Sequence, residues 1–222
     1  MTPHAPCRYE VALFDLDGTL TDPYLGIARS FRYALDALEI PLAPDYDFRA
    51  AIGPPMQGVV ASLVGSNAVL QTRAIALYRE YFATVGLFEN QLYDGISAML
   101  GRVGKGRALY VCTSKPRVYA TRILDHFGIA DAFVEVFGSE LDGTRSDKRY
   151  LLAYAIDRLK IDAARAILIG DRSHDISAAR ANGTAAAGVA WGYGSVRELA
   201  DAGARTIFEQ PDAVTSIALD AA

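Results

Sequence analysis

Short runs rich in apolar and β-branched residues alternate with helical patterns along most of the chain, which is the pattern that repeated strand–helix–strand units require. The strand candidates are Tyr9–Phe14, Arg107–Cys112, Phe133–Phe137, Ala166–Ile169 and Thr184–Val189, with Thr206 and Ile207 as a short edge. Runs that are apolar on both faces belong to parallel sheets covered by helices on two sides. Helices are expected over Gly95–Val103, Arg117–Phe127, Asp147–Leu159 and Ser173–Ala181. Gly104 and Gly128 are placed to end the first two in the left-handed conformation that glycine tolerates. The expected class is α/β, a parallel sheet with helices on both faces.

One stretch breaks the alternation. From Pro23 to Gln91 no strand stands out, while Leu25, Ile27, Ala28, Phe31, Leu35 and Leu38 recur at helical spacing, as do Ala74, Leu77, Tyr78, Tyr81 and Phe82. Gly53, Pro54 and Pro55 divide the stretch in two. A connection of about 70 residues is far longer than a strand-to-helix loop, so it reads as an inserted helical domain, residues 23–91, within a core made of 1–22 and 92–222. The length of 222 residues, with 51% hydrophobic and 22% charged residues, suits one core and one insertion of ordinary globular composition.

Composition narrows the function. A formal net charge of -4 with no long basic run offers no field for a nucleic-acid backbone, so no nucleic-acid partner is expected. Met1–Glu10 carries Pro3 and Pro6 and no apolar stretch of signal-peptide length, and no later run is long enough to span a membrane. Cys7 and Cys112 are the only cysteines, and Cys112, inside an apolar run, reads as a small buried thiol. A cytoplasmic location with no membrane partner is the expectation.

Four segments carry candidate chemistry. Asp15 and Asp17, in Phe14-Asp15-Leu16-Asp17-Gly18-Thr19-Leu20, follow the first strand directly, where ligands bind in open α/β sheets. In isolation such a pair would be a solvated loop or a helix cap. Thr113 and Ser114 end the second core strand with hydroxyls and backbone donors suited to phosphate oxygens, although an N-cap for the helix beginning near Pro116 explains them as well. Lys148 starts a helix, where the macrodipole disfavours a cation unless an anion compensates it; alone it would be a surface lysine. Asp171 and Asp175 follow the strand Ile167-Leu168-Ile169-Gly170, and Asp171 falls at a strand end as Asp15 does. Like charges brought together need a cation, and hard oxygen ligands beside a phosphate point to magnesium.

These four segments, in this order, resemble the haloacid dehalogenase superfamily: an aspartate pair after the first strand, then Thr or Ser, then Lys, then an acidic Gly-Asp motif. The resemblance spans Tyr9–Gly192. A helical insertion directly after the first motif is similar to that of the phosphoglycolate phosphatase-like branch. Ile52-Gly53-Pro54-Pro55, the run 138–145 and Trp191-Gly192-Tyr193-Gly194 are similar to a bacterial subgroup labelled phosphoglycolate phosphatase or 5'-nucleotidase. The resemblance implies a Rossmann-like core with a helical cap and a magnesium-dependent phosphatase acting on a small-molecule phosphate ester through an aspartyl-phosphate. By the same resemblance Asp15 is the nucleophile and a metal ligand. Asp17 is the general acid and base and lends its carbonyl to the metal, and Asp171 completes the metal site. Thr113, Ser114 and Lys148 hold the phosphoryl group, and Asp175 stands behind the ligands. Relatives of the β-phosphoglucomutase type share the first motif, so a phosphomutase is the alternative, and a non-catalytic phosphate-binding or interaction protein is a further one; the protein is expected to be a monomer or homodimer. Thr19 and the segment Thr113–Pro116 favour hydrolysis. Of the insertion's polar residues, Arg49, Gln57 and Arg73 could face the cleft, with surface exposure the simpler reading, and Tyr24 could line its entrance, although aromatic packing between cap and core explains it equally well.

Overall fold

A computed structural model of the chain describes residues 9–218; Cys7 lies outside them. In chain order the strands are β1 (Val11–Phe14), β2 (Thr21–Asp22), β3 (Gln91–Leu92), β4 (Ala108–Pro116), β5 (Glu135–Ser139), β6 (Ala166–Gly170), β7 (Ala185–Val189) and β8 (Thr206–Phe208). The helices are α1 (Tyr24–Ala37), α2 (Met56–Val64), α3 (Ala68–Tyr81), α4 (Ile96–Val103), α5 (Arg117–His126), α6 (Lys148–Leu159), α7 (Ser173–Ala181) and α8 (Val196–Ala202).

Six strands form a sheet in the order β5-β4-β1-β6-β7-β8, and every pairing in it is parallel. The two-residue period of a strand sends alternate side chains to opposite faces. Thus Ala12, Phe14, Val111 and Ile169 pack with Met99 and Val103 of α4 and Ile123 of α5. Leu13, Cys112 and Leu168 pack on the other face with Leu151 and Leu152 of α6 and Ala178 of α7. Because the first strand lies at the centre, its carboxyl end is flanked by those of β4 and β6, and the chain needs no long loop to bring three motifs together.

Two sequence expectations are corrected. Gly104 ends α4 at φ -70, in the right-handed region, whereas Gly128 takes φ 64 as expected. Thr113 and Ser114 do not cap α5: β4 continues through Pro116, and the helix begins at Arg117 with no side-chain cap. The register of β4 against β5 shifts between Thr113 and Pro116, an irregularity of the kind that re-aims side chains at sites.

Between β2 and β3 the chain forms only helices: α1, a single 3-10 turn, α2, α3, and a π-helical turn over Phe82–Gly86. β2 and β3 pair antiparallel, Thr21 with Leu92 and Asp22 with Gln91, so the helical segment leaves and re-enters through one short ribbon too brief to register in the sequence. Phe31 of α1 packs on Tyr78 of α3 at 4.6 Å between ring centroids and stacks on Phe48 at 5.5 Å. α1 crosses the π-helical turn at two glycines; a Cβ on Gly26 would lie 1.9 Å from the Gly86 carbonyl oxygen. Guanidiniums bridge the helical segment to the sheet domain. Arg79 donates to the Leu141 carbonyl, Arg172 to that of Ile52, and Arg122 Nη1 to that of Ala83 at 2.9 Å.

Candidate active site

Asp15 sits one residue beyond β1, its amide donating to the Ile169 carbonyl at 2.9 Å. The chain then turns sharply. Gly18 adopts φ 84, and a Cβ there would meet Asp171 Oδ2 at 2.2 Å, so glycine is required for the first loop to approach the acidic turn after β6. Gly192 closes the same point from the other side, where a Cβ would fall 2.4 Å from that of Asp171.

The acidic residues are buried together. Carboxylate oxygens of Asp15, Asp171 and Asp175 can be chosen that all lie within 4.8 Å of one another. Lys148, expected at a helix start, is buried there, with Nζ 2.8 Å from Asp15 Oδ1 and in a short contact with Asp175 Oδ1. These carboxylates are the anions that compensate a cation at the first turn of α6. Burial lowers the proton affinity of the Lys148 ammonium, but Asp15 and Asp175 more than offset this and hold its pKa above the ordinary value. Asp175 is fully engaged, its Oδ2 accepting from the Arg172 amide at 3.0 Å. Asp171 is not. Tyr193 N donates to its Oδ2 at 2.8 Å, Thr19 Oγ1 approaches at 3.5 Å, and burial together with Asp175 and Asp15 pushes its pKa up to about 8. Three buried carboxylates sharing one ammonium are short of positive charge, and an all-oxygen donor set fits a hard divalent cation.

Asp17 points elsewhere. Its Oδ2 pairs with Lys115 Nζ at 2.8 Å, while its Oδ1 is buried without a hydrogen-bond partner. Burial is the main reason its pKa is raised, against the opposing charge of Lys115. Thr113, 2% exposed, accepts from the Lys115 amide at 3.3 Å, which leaves its own hydroxyl proton free to donate. Behind it the Cys112 thiol is pushed up to about 12, chiefly by burial, as an inert core thiol should be.

Asp15, Asp17, Thr113 and Ser114 line one side of a cavity of about 90 Å³, and residues of the helical segment close the other. Arg49, Gln57 and Arg73 are not among its walls. Arg49 pairs with Asp47 at 3.1 Å, and Tyr24 donates to that same carboxylate at 3.3 Å. Arg79 does line the cavity. Sequence reasoning passed over Arg79 and Lys115. Lys115 stood in the quoted segment after Ser114, but its pairing with Asp17 and its place 4.6 Å from the Phe82 ring centroid depend on a contact between distant elements.

Known proteins resemble this chain over most of its length. Residues 12–189 match the family described as haloacid dehalogenase-like hydrolase. A 5'-nucleotidase of Pseudomonas aeruginosa is 43% identical over 88% of this chain and 89% of its own length. The tyrosine-protein kinase PtkA of Mycobacterium tuberculosis is 40% identical over 83% of this chain and 63% of its own. A phosphoglycolate phosphatase of Rhodospirillum rubrum is 29% identical over 90% and 87%. The crystal structure of a predicted phosphatase from Clostridium acetobutylicum superposes with a TM-score of 0.90 at 39% identity, covering 96% of this chain and 99% of that one. With the match running from the first core strand through the fifth, and the acidic motifs at the strand ends, the chain belongs to the haloacid dehalogenase-like hydrolases.

Proposed function

We propose that the protein is a magnesium-dependent phosphatase that hydrolyses a small phosphate monoester through an aspartyl-phosphate on Asp15. The observation that carries this reading is the division between two aspartates two residues apart. Asp15 is paired with the Lys148 ammonium at 2.8 Å, while Asp17 has a pKa raised by burial and one buried oxygen with no partner. One is set up as a nucleophile and the other to hold a proton.

In the first step an Asp15 oxygen forms a bond to phosphorus as the bond to the leaving oxygen breaks. Asp17 gives its proton to that oxygen, so the alcohol leaves neutral. Thr113 donates to a phosphoryl oxygen together with the amide of Ser114, and Lys148 offsets the repulsion between carboxylate and phosphate. In the second step Asp17, now a carboxylate, takes a proton from water as the water attacks phosphorus, releasing phosphate and restoring Asp15. Magnesium held by Asp15, Asp171 and the Asp17 carbonyl would supply charge neutralisation at the phosphoryl group. Asp175 acts from behind by fixing Lys148. Residues 23–91 serve as the cap over the core formed by 1–22 and 92–222, excluding bulk water. The names of the relatives point to nucleoside monophosphates or phosphoglycolate as substrates.

The test is phosphate release from a panel of phosphoglycolate, nucleoside monophosphates and sugar phosphates, with magnesium, with EDTA, and with Asp15→Asn. Release that needs both magnesium and Asp15 supports the proposal. Turnover that survives Asp15→Asn overturns the covalent mechanism, and silence across the panel overturns the phosphatase.

A further inference from the structure

The loop after β7, Trp191-Gly192-Tyr193-Gly194, reaches three parts of the molecule at once. Trp191 Nε1 donates to the Thr19 carbonyl at 3.0 Å, in the loop that carries Asp15 and Asp17. The Tyr193 amide donates to Asp171 Oδ2 at 2.8 Å, and its hydroxyl donates to Asp22 Oδ1 in a short contact. Asp22 belongs to β2, and the same oxygen accepts from the Tyr24 amide at 3.0 Å, in the first turn of α1. Tyr93, the residue after β3, interacts with the same phenol. One residue thus holds Asp171 with its backbone and, with its side chain, both the outgoing and the returning end of the helical segment.

The loop is seated without slack against Asp171. A Cβ on Gly192 would fall 2.3 Å from the Gly18 carbonyl oxygen and 2.4 Å from Asp171 Cβ, and one on Gly194 would fall 1.9 Å from the Asp171 carbonyl oxygen. Close-packed interiors transmit displacement instead of absorbing it, so a shift of Asp171 is carried into the loop, and a cation that pins the Asp171 carboxylate pins the loop as well. The β2–β3 ribbon is the compliant partner. Two residues on each strand make a pairing too short to be rigid by itself, so it is fixed by what ties it from outside. The tie through Tyr193 ends on a carboxylate, the stronger class of acceptor.

Resting on the reading that Asp171 holds the cation, we propose that Tyr193 is a positioning residue that couples the metal site to the helical segment. Its amide follows Asp171 and its phenol passes that position to Asp22 and the start of α1. A divalent cation at Asp171 therefore steadies the entry to residues 23–91.

The test uses the full-length protein without substrate, which separates the coupling from turnover. Trp191 is the chain's one tryptophan, so its fluorescence follows a magnesium titration from within the loop. Hydrogen exchange follows residues 21–31 and 91–93. In the wild type, saturating magnesium should change the fluorescence and slow exchange in both stretches by about 10-fold, the weight of one hydrogen bond to a charged group. Tyr193→Phe keeps the amide and the ring and loses one oxygen. It should hold the magnesium midpoint to within about 3-fold, less than the loss of such a bond at the metal site would cause, and should lose most of the slowing. Asp22→Ala, which removes the acceptor, should lose the slowing too, and Tyr193→Phe added to it should change nothing more, as partners in one interaction behave.

Equal slowing in the wild type and Tyr193→Phe overturns the proposal. So does exchange that is faster in Tyr193→Phe by the same factor with and without magnesium, which is the mark of a structural tie with no coupling. Unchanged exchange in β1 and β6 identifies a folded variant; if Tyr193→Phe fails that check, Asp22→Ala decides, and full slowing in it overturns the coupling. A fluorescence response without slowing in the wild type leaves the cation in place and overturns the coupling alone. If magnesium changes neither the fluorescence nor the exchange of the wild type, the cation reading itself fails and takes this proposal with it.

Discussion

Asp17→Asn removes the transferable proton while keeping the backbone carbonyl and the shape of the loop. Turnover of an alkyl phosphate should fall by about 10²- to 10⁴-fold, the usual weight of acid–base assistance, and less for an ester whose leaving group needs no proton. Steady-state rates on the two kinds of ester check this, and an equal loss on both would remove Asp17 from the acid role. Asp171 gives a prediction in pH. Its folded pKa of about 8 lies above the unfolded value, so without metal its contribution to stability is fully present at low pH and is lost as pH rises through about 8. A divalent cation binds the deprotonated form, so the rise in Tm on adding magnesium should be larger at pH 9 than at pH 6. A magnesium-induced shift that shrinks as pH rises over that range would contradict the ligand assignment. At this scale Asp15, Asp17, Asp171 and Lys148 were legible because each is fixed by the end of a strand or the start of a helix. Lys115 was not, because its pairing with Asp17 arises only where the end of β4 meets the loop that follows β1.

The strands of the sheet could be read to within a few residues because apolar runs of that length have few other uses. β4 exceeded its expected range, Arg107–Cys112, by four residues at its carboxyl end, since Thr113–Lys115 look like a turn yet remain extended against β5. Short elements escaped for the same physical reason: two residues on each side of the β2–β3 ribbon carry no periodicity at all. The crossing of α1 with the π-helical turn was equally silent, and it yields a test. Gly26→Ala would drive a methyl group into the Gly86 carbonyl, and overpacking of this kind costs about 1–3 kcal/mol. Denaturant unfolding should show a loss in that range, while Gly58→Ala, where a Cβ meets nothing within 4 Å, should not.

Taken as a whole, the molecule joins its helical segment to the sheet domain by arginines that donate to carbonyls from both directions. A hydrogen bond from a charged donor is worth about 1.5–3 kcal/mol, so Arg122→Met should make opening of the π-helical turn about 10- to 100-fold more frequent. Hydrogen exchange would detect this as faster labelling around residues 82–87 with β1 and β6 unchanged; uniform acceleration across the sheet would mean that Arg122 supports the global fold instead. The β2–β3 ribbon has a wider consequence. Because the helical segment departs and returns at adjacent residues, it is a graft on a finished trunk: it can be exchanged, lengthened or remodelled by descent without rethreading the sheet. A change confined to that segment leaves the strand order β5-β4-β1-β6-β7-β8, and the strand ends beside Asp15, Thr113 and Asp171, as they are.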